Sequence, residues 1–112
     1  MYGDAPIVGT GGVTSATSED GLALSYGGTN ATHNGGSLKY VRVEFAGKKI
    51  TDGTSEMNGF SFYSVGSGTV LENLVSYKGA DDGFEFYGGT VSLINAASSR
   101  LSVVSFDFQY SK

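Results

Sequence analysis

Apolar residues along the chain come in short clusters at alternate positions, which is the spacing of β-strands. Between residues 38 and 45, apolar side chains stand at Leu38, at Tyr40 or Val41, and at Val43 and Phe45. The β-branched and aromatic types that strands favour are common among them. Glycine interrupts nearly every longer window, so no amphipathic helix is predicted. The pattern indicates an all-β chain.

One short motif recurs along the chain: Asp or Asn, then Gly, an apolar residue, any residue and a second apolar residue. Copies lie at 20–24, 58–62 and 82–86, with a weaker copy without the glycine near 106–108. Phe60 and Phe84 are 24 residues apart, and Phe84 and Phe106 are 22 apart. A repeat of this length, made of strands and glycine turns, is typical of a parallel β-helix in which each rung stacks on the last.

The repeat predicts one domain of about four to five short rungs over residues 21–112, preceded by an irregular segment at 1–20. Equivalent apolar residues should stack inside the coil. The first predicted column contains Leu22, Phe60, Phe84 and Phe106, and the second contains Leu24, Phe62, Phe86 and Phe108. The 38-residue gap between Asp20 and Asn58 requires loops at 27–36 and 48–56. The alternative, an antiparallel sandwich of short hairpins, gives no reason for the motif to recur.

Charge and composition narrow the class of protein. Seven Lys and Arg against eleven Asp and Glu give a net charge of −4, which argues against binding to nucleic acid or to an anionic membrane surface. The absence of cysteine excludes disulfides, thiolate zinc sites and cysteine nucleophiles. No run of 18 apolar residues occurs, so no membrane insertion is predicted, and this chain shows no signal peptide.

Residues that alternate with the inward phenylalanines should point outward and form a candidate binding face. This face would carry carboxylates beside tyrosines, whose rings and hydroxyls suit sugars. The candidate ligand-binding residues, for a polysaccharide, are Tyr63, Asp81, Asp82, Glu85, Tyr87 and Asp107. A competing interpretation is that outward carboxylates only keep a stacked sheet soluble.

Calcium is the one metal that the sequence suggests. Neither an EF-hand loop nor a Gly-Gly-x-Gly-x-Asp repeat is present, and no other cofactor is indicated. Only the pair Asp81 and Asp82, joined by Glu56 or Asp107 from adjacent rungs, could gather enough oxygen ligands for Ca²⁺.

Catalysis is weakly supported by the residues. Paired carboxylates serve in glycoside hydrolysis, and parallel β-helices host pectin-degrading enzymes, but that is an analogy of fold. The basic residues near strands are Lys39, Arg42, Lys78 and Arg100. None repeats with the acidic row, and Arg42 is predicted on an exposed face near Glu44. No catalytic residue is therefore assigned.

Four segments, at 26–29, 36–47, 56–59 and 81–90, resemble the β-helix repeat regions of secreted proteins, surface proteins and lipoproteins of Bacteroidetes. The stretch 36–47, Gly-Ser-Leu-Lys-Tyr-Val-Arg-Val-Glu-Phe-Ala-Gly, is the most specific part. The resemblance implies a right-handed parallel β-helix outside the cell, with no established catalytic role. Members of that group are longer, so the chain resembles an excerpt, and the resemblance fades beyond Val91.

These observations predict a non-catalytic secreted or cell-surface β-helix module, with polysaccharide as the candidate ligand. The alternative is a fragment of a polysaccharide lyase or hydrolase that uses carboxylates such as Asp81, Asp82 and Glu85. No capping helix is predicted at either end, so we expect the exposed end rungs to drive self-association.

Overall fold

The structure is a computed structural model that describes residues 1–18, 22–47 and 57–99, together with the backbone of residues 106–109. Apart from a 3-10 turn at Thr10–Gly12, every described element is a strand. The strands are β1 (Ala16–Thr17), β2 (Ser25–Tyr26), β3 (Ser37–Lys39), β4 (Arg42–Glu44), β5 (Phe60–Tyr63), β6 (Val70–Tyr77), β7 (Phe84–Tyr87), β8 (Leu93–Ser99) and β9 (Phe106–Gln109). The all-β prediction is confirmed for these residues.

Three short strands, β5, β7 and β9, form the first parallel sheet, called here the aromatic sheet. Its register places Phe60 beside Phe84 and Phe84 beside Phe106, as the repeat spacing predicts. The N-terminus adds to the β5 side of this sheet. Tyr2 makes a parallel bridge to Tyr63, and the Gly3 amide donates to the Tyr63 carbonyl at 2.8 Å.

The second sheet is also parallel and is called here the kinked sheet. Strands β3 and β4 both pair with one edge of β6, and β8 pairs with the other. Tyr40, Asn73 and Asn95 each have a φ of 54° at equivalent positions of the three layers. A left-handed conformation is unfavourable for most residues but is tolerated by asparagine. Each layer therefore bends at the same point, and the bends stack.

The chain alternates between the two sheets, from β3 and β4 to β5, β6, β7, β8 and β9 in turn. Equivalent residues in β6 and β8 are 22 apart, for example Leu71 and Leu93. This alternation explains the repeat, because one repeat supplies one strand to each sheet. The described segments form two parallel sheets and do not close into a complete coil.

One apolar core joins the two sheets. Phe60 stacks on Phe84 with ring centroids 4.9 Å apart, and Phe62 stacks on Phe86 at 5.0 Å. Val65, Leu71 and Leu74 complete the buried cluster. Partly buried residues at its margin are Leu38, Val41, Val43, Val91, Leu93 and Ala96. Burial of each large apolar side chain contributes about 1.5–3 kcal/mol, so these stacked layers supply much of the cohesion.

The predicted place of Leu22 and Leu24 in the columns is wrong. Leu22 is 68% exposed, and β2 pairs antiparallel with β1 in a short hairpin. The physical reason is that the layer beside β5 in the aromatic sheet is already taken by the first residues of the chain. Residues 1–5, predicted as irregular, bond to Tyr63 and Ser64 through the amides of Gly3 and Ala5.

The column of phenylalanines gives a stability test. Phe84 is fully buried between the layers, so Phe84→Ala should lower the free energy of unfolding by about 3–5 kcal/mol. Leu22→Ala, a control at a highly exposed side chain, should change it by less than about 0.5 kcal/mol. Urea titration followed by circular dichroism measures both. Equal losses in the two variants would contradict the observed placement of the core.

Candidate functional site

In the aromatic sheet, the residues that were predicted to form outward rows lie side by side in neighbouring strands. Ser61 lies beside Glu85, and Glu85 lies beside Asp107, in the parallel register. The rings of Tyr63 and Tyr87 stack with centroids 4.2 Å apart and an interplanar angle of 8°. The predicted juxtaposition of these residues is therefore confirmed.

The predicted exposure of this face is wrong. Glu85 is only 5% exposed, and Tyr63 and Tyr87 are equally buried. Ile7 and Tyr26 pack against the two tyrosines and form a second apolar cluster with them. The alternation of residues along the strands predicts that this surface faces solvent. In the structure, residues near the start of the chain cover it.

Glu85 is held inside this cover by two side-chain donors. The Asn58 amide nitrogen and the Tyr87 hydroxyl both donate to Glu85 Oε2, the hydroxyl at 2.5 Å. Burial raises the pKa of Tyr87 well above its ordinary value, and the hydrogen bond to the Glu85 carboxylate and its negative charge raise it further. Hydrogen bonding offsets the cost of burying this carboxylate. The Glu85–Tyr87 pair is structural in this arrangement.

The acidic corner before β7 is partly enclosed. The side chain of Asp82 is buried, its backbone carbonyl accepts the Gly59 amide at 2.9 Å, and Asp81 is half-buried. Across the described side chains, no three His, Asp or Glu residues lie close enough together to hold a metal ion. Glu56 and the Asp107 side chain lie outside the described residues. Calcium binding by Asp81 and Asp82 with those partners stays a prediction.

An accessible surface lies instead on the outer face of the kinked sheet. At the stacked bends, Tyr40, Asn73 and Asn95 line a groove of ≈ 620 Å³ that crosses all three layers. Tyr40 is 81% exposed. The other lining residues are Val41, Arg42, Leu74, Val75, Ala96 and Ala97. The groove therefore combines one aromatic ring, two amide side chains and a guanidinium.

Beside the groove, aromatic rings and cations are interleaved. Phe45 and Tyr77 meet edge to face at 6.3 Å, and the Arg42 guanidinium lies 4.6 Å from the Tyr77 ring centroid. Lys78 Nζ lies 5.3 Å from the Tyr77 centroid and 5.6 Å from that of Phe45. Phe45 is 67% exposed. Cations over ring faces stabilise these rings at the surface.

Some features of this surface were predicted from the sequence. The prediction that Arg42 is exposed near Glu44 is confirmed, since its Nε donates to Glu44 Oε1 at 2.6 Å. The sequence left Tyr40 and Val41 as alternatives for the inward position, and the structure turns Val41 toward the core. The left-handed conformation of Tyr40 sets this choice, and its signal in the sequence is the asparagine at the equivalent positions 73 and 95.

The family comparison agrees with this architecture. A family model described as a pectate-lyase like beta helix domain matches residues 1–110. The chain belongs to this family, and its fold is that of a β-helix domain, which fits a carbohydrate-related module. Searches of curated proteins and of solved structures found no match. Within the described ranges, no helix has the length and apolar character needed to cross a membrane.

The buried pair predicts a pH effect on stability. The pKa of Tyr87 in the folded protein lies above the value of an unfolded tyrosine, which is near 10. The contribution of this group to the free energy of unfolding is therefore complete below about pH 10 and is lost as the pH rises above that value. The free energy of unfolding should fall there by up to about 1.4 kcal/mol per pH unit for this group. In the Tyr87→Phe variant, this part of the decrease in the free energy of unfolding with pH should disappear. Urea titrations between pH 8 and about pH 11 measure it. Identical slopes in both proteins would contradict the assignment.

Proposed function

We propose that this chain is a non-catalytic, carbohydrate-binding module of a right-handed parallel β-helix. The family match supports the β-helix and a role connected with carbohydrate. The alternation of the chain between two parallel sheets supports a coiled path, and β-strand crossovers between parallel strands are overwhelmingly right-handed. The binding surface in this proposal is the groove on the kinked sheet.

The observation that carries the proposal is the open groove over the stacked bends of Tyr40, Asn73 and Asn95. A sugar ring presents an apolar face of C–H groups and a rim of hydroxyls. The exposed Tyr40 ring can pack against the apolar face, and the two asparagine amides can donate to and accept from the hydroxyls. Arg42 adds further donors beside them.

The direction of the groove favours a polymer as the ligand. Equivalent residues in neighbouring strands are about 4.8 Å apart, so the three bends span roughly one to two sugar units across the sheet. The groove would therefore contact one or two consecutive units of a longer chain. A large polysaccharide is met outside the cell, which supports a secreted or cell-surface location for the module.

The carboxylates and tyrosines that the sequence predicts as ligand-binding residues have other roles in this proposal. Tyr63, Glu85 and Tyr87 stabilise the junction with the N-terminal segment, because they are buried there. Asp81, the more exposed member of the corner, together with Asp82 and Asp107, is the place where calcium dependence should be sought. No described contact favours the alternative of a lyase or hydrolase, since the Asp82 and Glu85 side chains are both buried.

Glycan binding tests the proposal directly. An array of polysaccharides, screened with and without Ca²⁺, identifies a ligand, and titration calorimetry then compares variants. Tyr40→Ala should weaken binding about tenfold, the loss of a contact worth about 1.4 kcal/mol, because it removes the exposed ring from the groove. Leu22→Ala, which also truncates an exposed side chain but lies in the N-terminal segment, is the matched control and should bind normally.

Two results would count against the proposal. One is glycan binding that Tyr40→Ala leaves unchanged while the variant remains folded. The other is the release of new reducing ends or unsaturated products from the bound glycan, lost in a folded Asp82→Ala variant. That second result would establish the enzyme alternative instead.

A further inference from the structure

The buried pair of Tyr87 and Glu85 has a chemistry that its structural role does not use. The Tyr87 hydroxyl donates to Glu85 Oε2 at 2.5 Å, which is the short distance typical of an O–H···O⁻ hydrogen bond. Tyr87 is 3% exposed and Glu85 is 5% exposed, so solvent has little access to either side chain. The phenol therefore has a proton acceptor in place inside the protein, and neither partner lines the groove of the kinked sheet.

The Tyr87 ring belongs to a group of tyrosines in direct contact. Its centroid lies 4.2 Å from that of Tyr63, and the Tyr63 centroid lies 4.5 Å from that of Tyr2, with interplanar angles of 8° and 10°. Tyr26 packs on Tyr63 and Tyr87 at 5.0 and 5.9 Å. Rings in such contact exchange an electron readily, because their π-orbitals overlap. An electron removed from any of these rings is therefore replaced from its neighbours, until a phenol that can give away its proton becomes the one that stays oxidised.

Charge and composition both favour oxidation at this pair. The chain has no cysteine and no tryptophan, so tyrosine is the side chain that gives up a single electron most readily. Oxidation of an isolated buried phenol would leave a positive charge in a medium of low polarity, which is unfavourable. The pair of Tyr87 with the Glu85 carboxylate instead changes from one negative charge to none when it loses an electron. Burial therefore favours the oxidised pair, because a neutral pair is less costly to bury than a charged one.

We propose that Tyr87 is a redox-active tyrosine whose oxidation is coupled to proton transfer to Glu85, and that one-electron oxidation of this protein comes to rest there. The co-reactant is a diffusible one-electron oxidant, such as a trivalent metal complex, which takes the electron. The O–H bond of Tyr87 breaks, and the proton forms a bond to Glu85 Oε2. The products are a neutral tyrosyl radical, a neutral glutamic acid and an oxidant reduced by one electron.

The surroundings of Tyr87 protect the radical once it has formed. Radicals of exposed tyrosines are lost by coupling to one another, and Tyr40, at 81% exposure, is open to that reaction. Ile7 and Tyr26 cover the Tyr63 and Tyr87 rings, and a closed site prevents side reactions of a reactive intermediate. The radical at Tyr87 should therefore be long-lived, and its formation diverts oxidation away from exposed tyrosines. This inference does not depend on glycan binding.

Flash oxidation of the full chain tests which tyrosine holds the radical. The oxidant is a photogenerated tris-bipyridine ruthenium(III) complex, and the tyrosyl radical is followed by its optical absorption and by electron paramagnetic resonance. The radical should decay about tenfold faster in Tyr87→Phe than in the wild type, because only less protected phenols remain to be oxidised. Tyr77→Phe, which removes a tyrosine hydroxyl from the kinked sheet, is the matched control and should keep the wild-type lifetime.

A second variant tests the proton acceptor. Glu85→Gln keeps the shape of the side chain but removes its negative charge, so the radical should form more slowly and decay about tenfold faster. Glu72→Gln is the matched control, because that carboxylate lies on the kinked sheet at 3.7 Å from Lys39 Nζ, and it should behave like the wild type.

A readout without any substitution is the dependence on buffer. If Glu85 takes the proton, the rate at which the long-lived radical forms in the wild type should not change with the concentration of buffer base. The inference is overturned if that rate rises with buffer base, or if the radical of Tyr87→Phe lives as long as that of the wild type. It is also overturned if Glu85→Gln and Glu72→Gln behave alike. None of these measurements uses a glycan, so they are separate from the test of the proposed function.

Discussion

The stacking of equivalent aromatic residues in parallel, in-register strands is the interaction on which the rest of the structure depends. Phe60 on Phe84 and Phe62 on Phe86 set the distance and register between layers of the aromatic sheet. The kinked sheet has its own parallel register, with Leu38 beside Leu71 and Leu71 beside Leu93, and it packs on these rings through the shared core. The bends that line the groove belong to this second ladder.

The outward face of the aromatic sheet is buried and that of the kinked sheet is exposed, although the strand pattern is similar in both. On the aromatic sheet, the N-terminal segment adds Ile7 and Tyr26 and turns the outward tyrosines into a second core. Glu85 is tolerated there because Asn58 and Tyr87 donate to it. On the kinked sheet, no described segment covers Tyr40 and Phe45, which leaves that face as the accessible one.

The stacked bends link the fold to the proposed function. A left-handed residue in the same place of each layer turns the strand without interrupting the parallel pairing on either side. The side chains at these positions cannot point into the core as their neighbours do. Tyr40, Asn73 and Asn95 are therefore placed in a line on the surface by the same geometry that lets the layers stack. A groove along that line follows from the fold itself.

The residues of the chain alone determined the strands, the 22- and 24-residue register and the inward phenylalanines, because alternation and repetition are local properties of a sequence. They did not determine which outward face is exposed. The prediction that Leu22 joins the inward column was wrong, because its motif matches the other copies only locally. Residues 1–3 occupy the layer that it would join. Contacts between segments distant in sequence bury Glu85 and expose Tyr40, and only the tertiary structure decides such contacts.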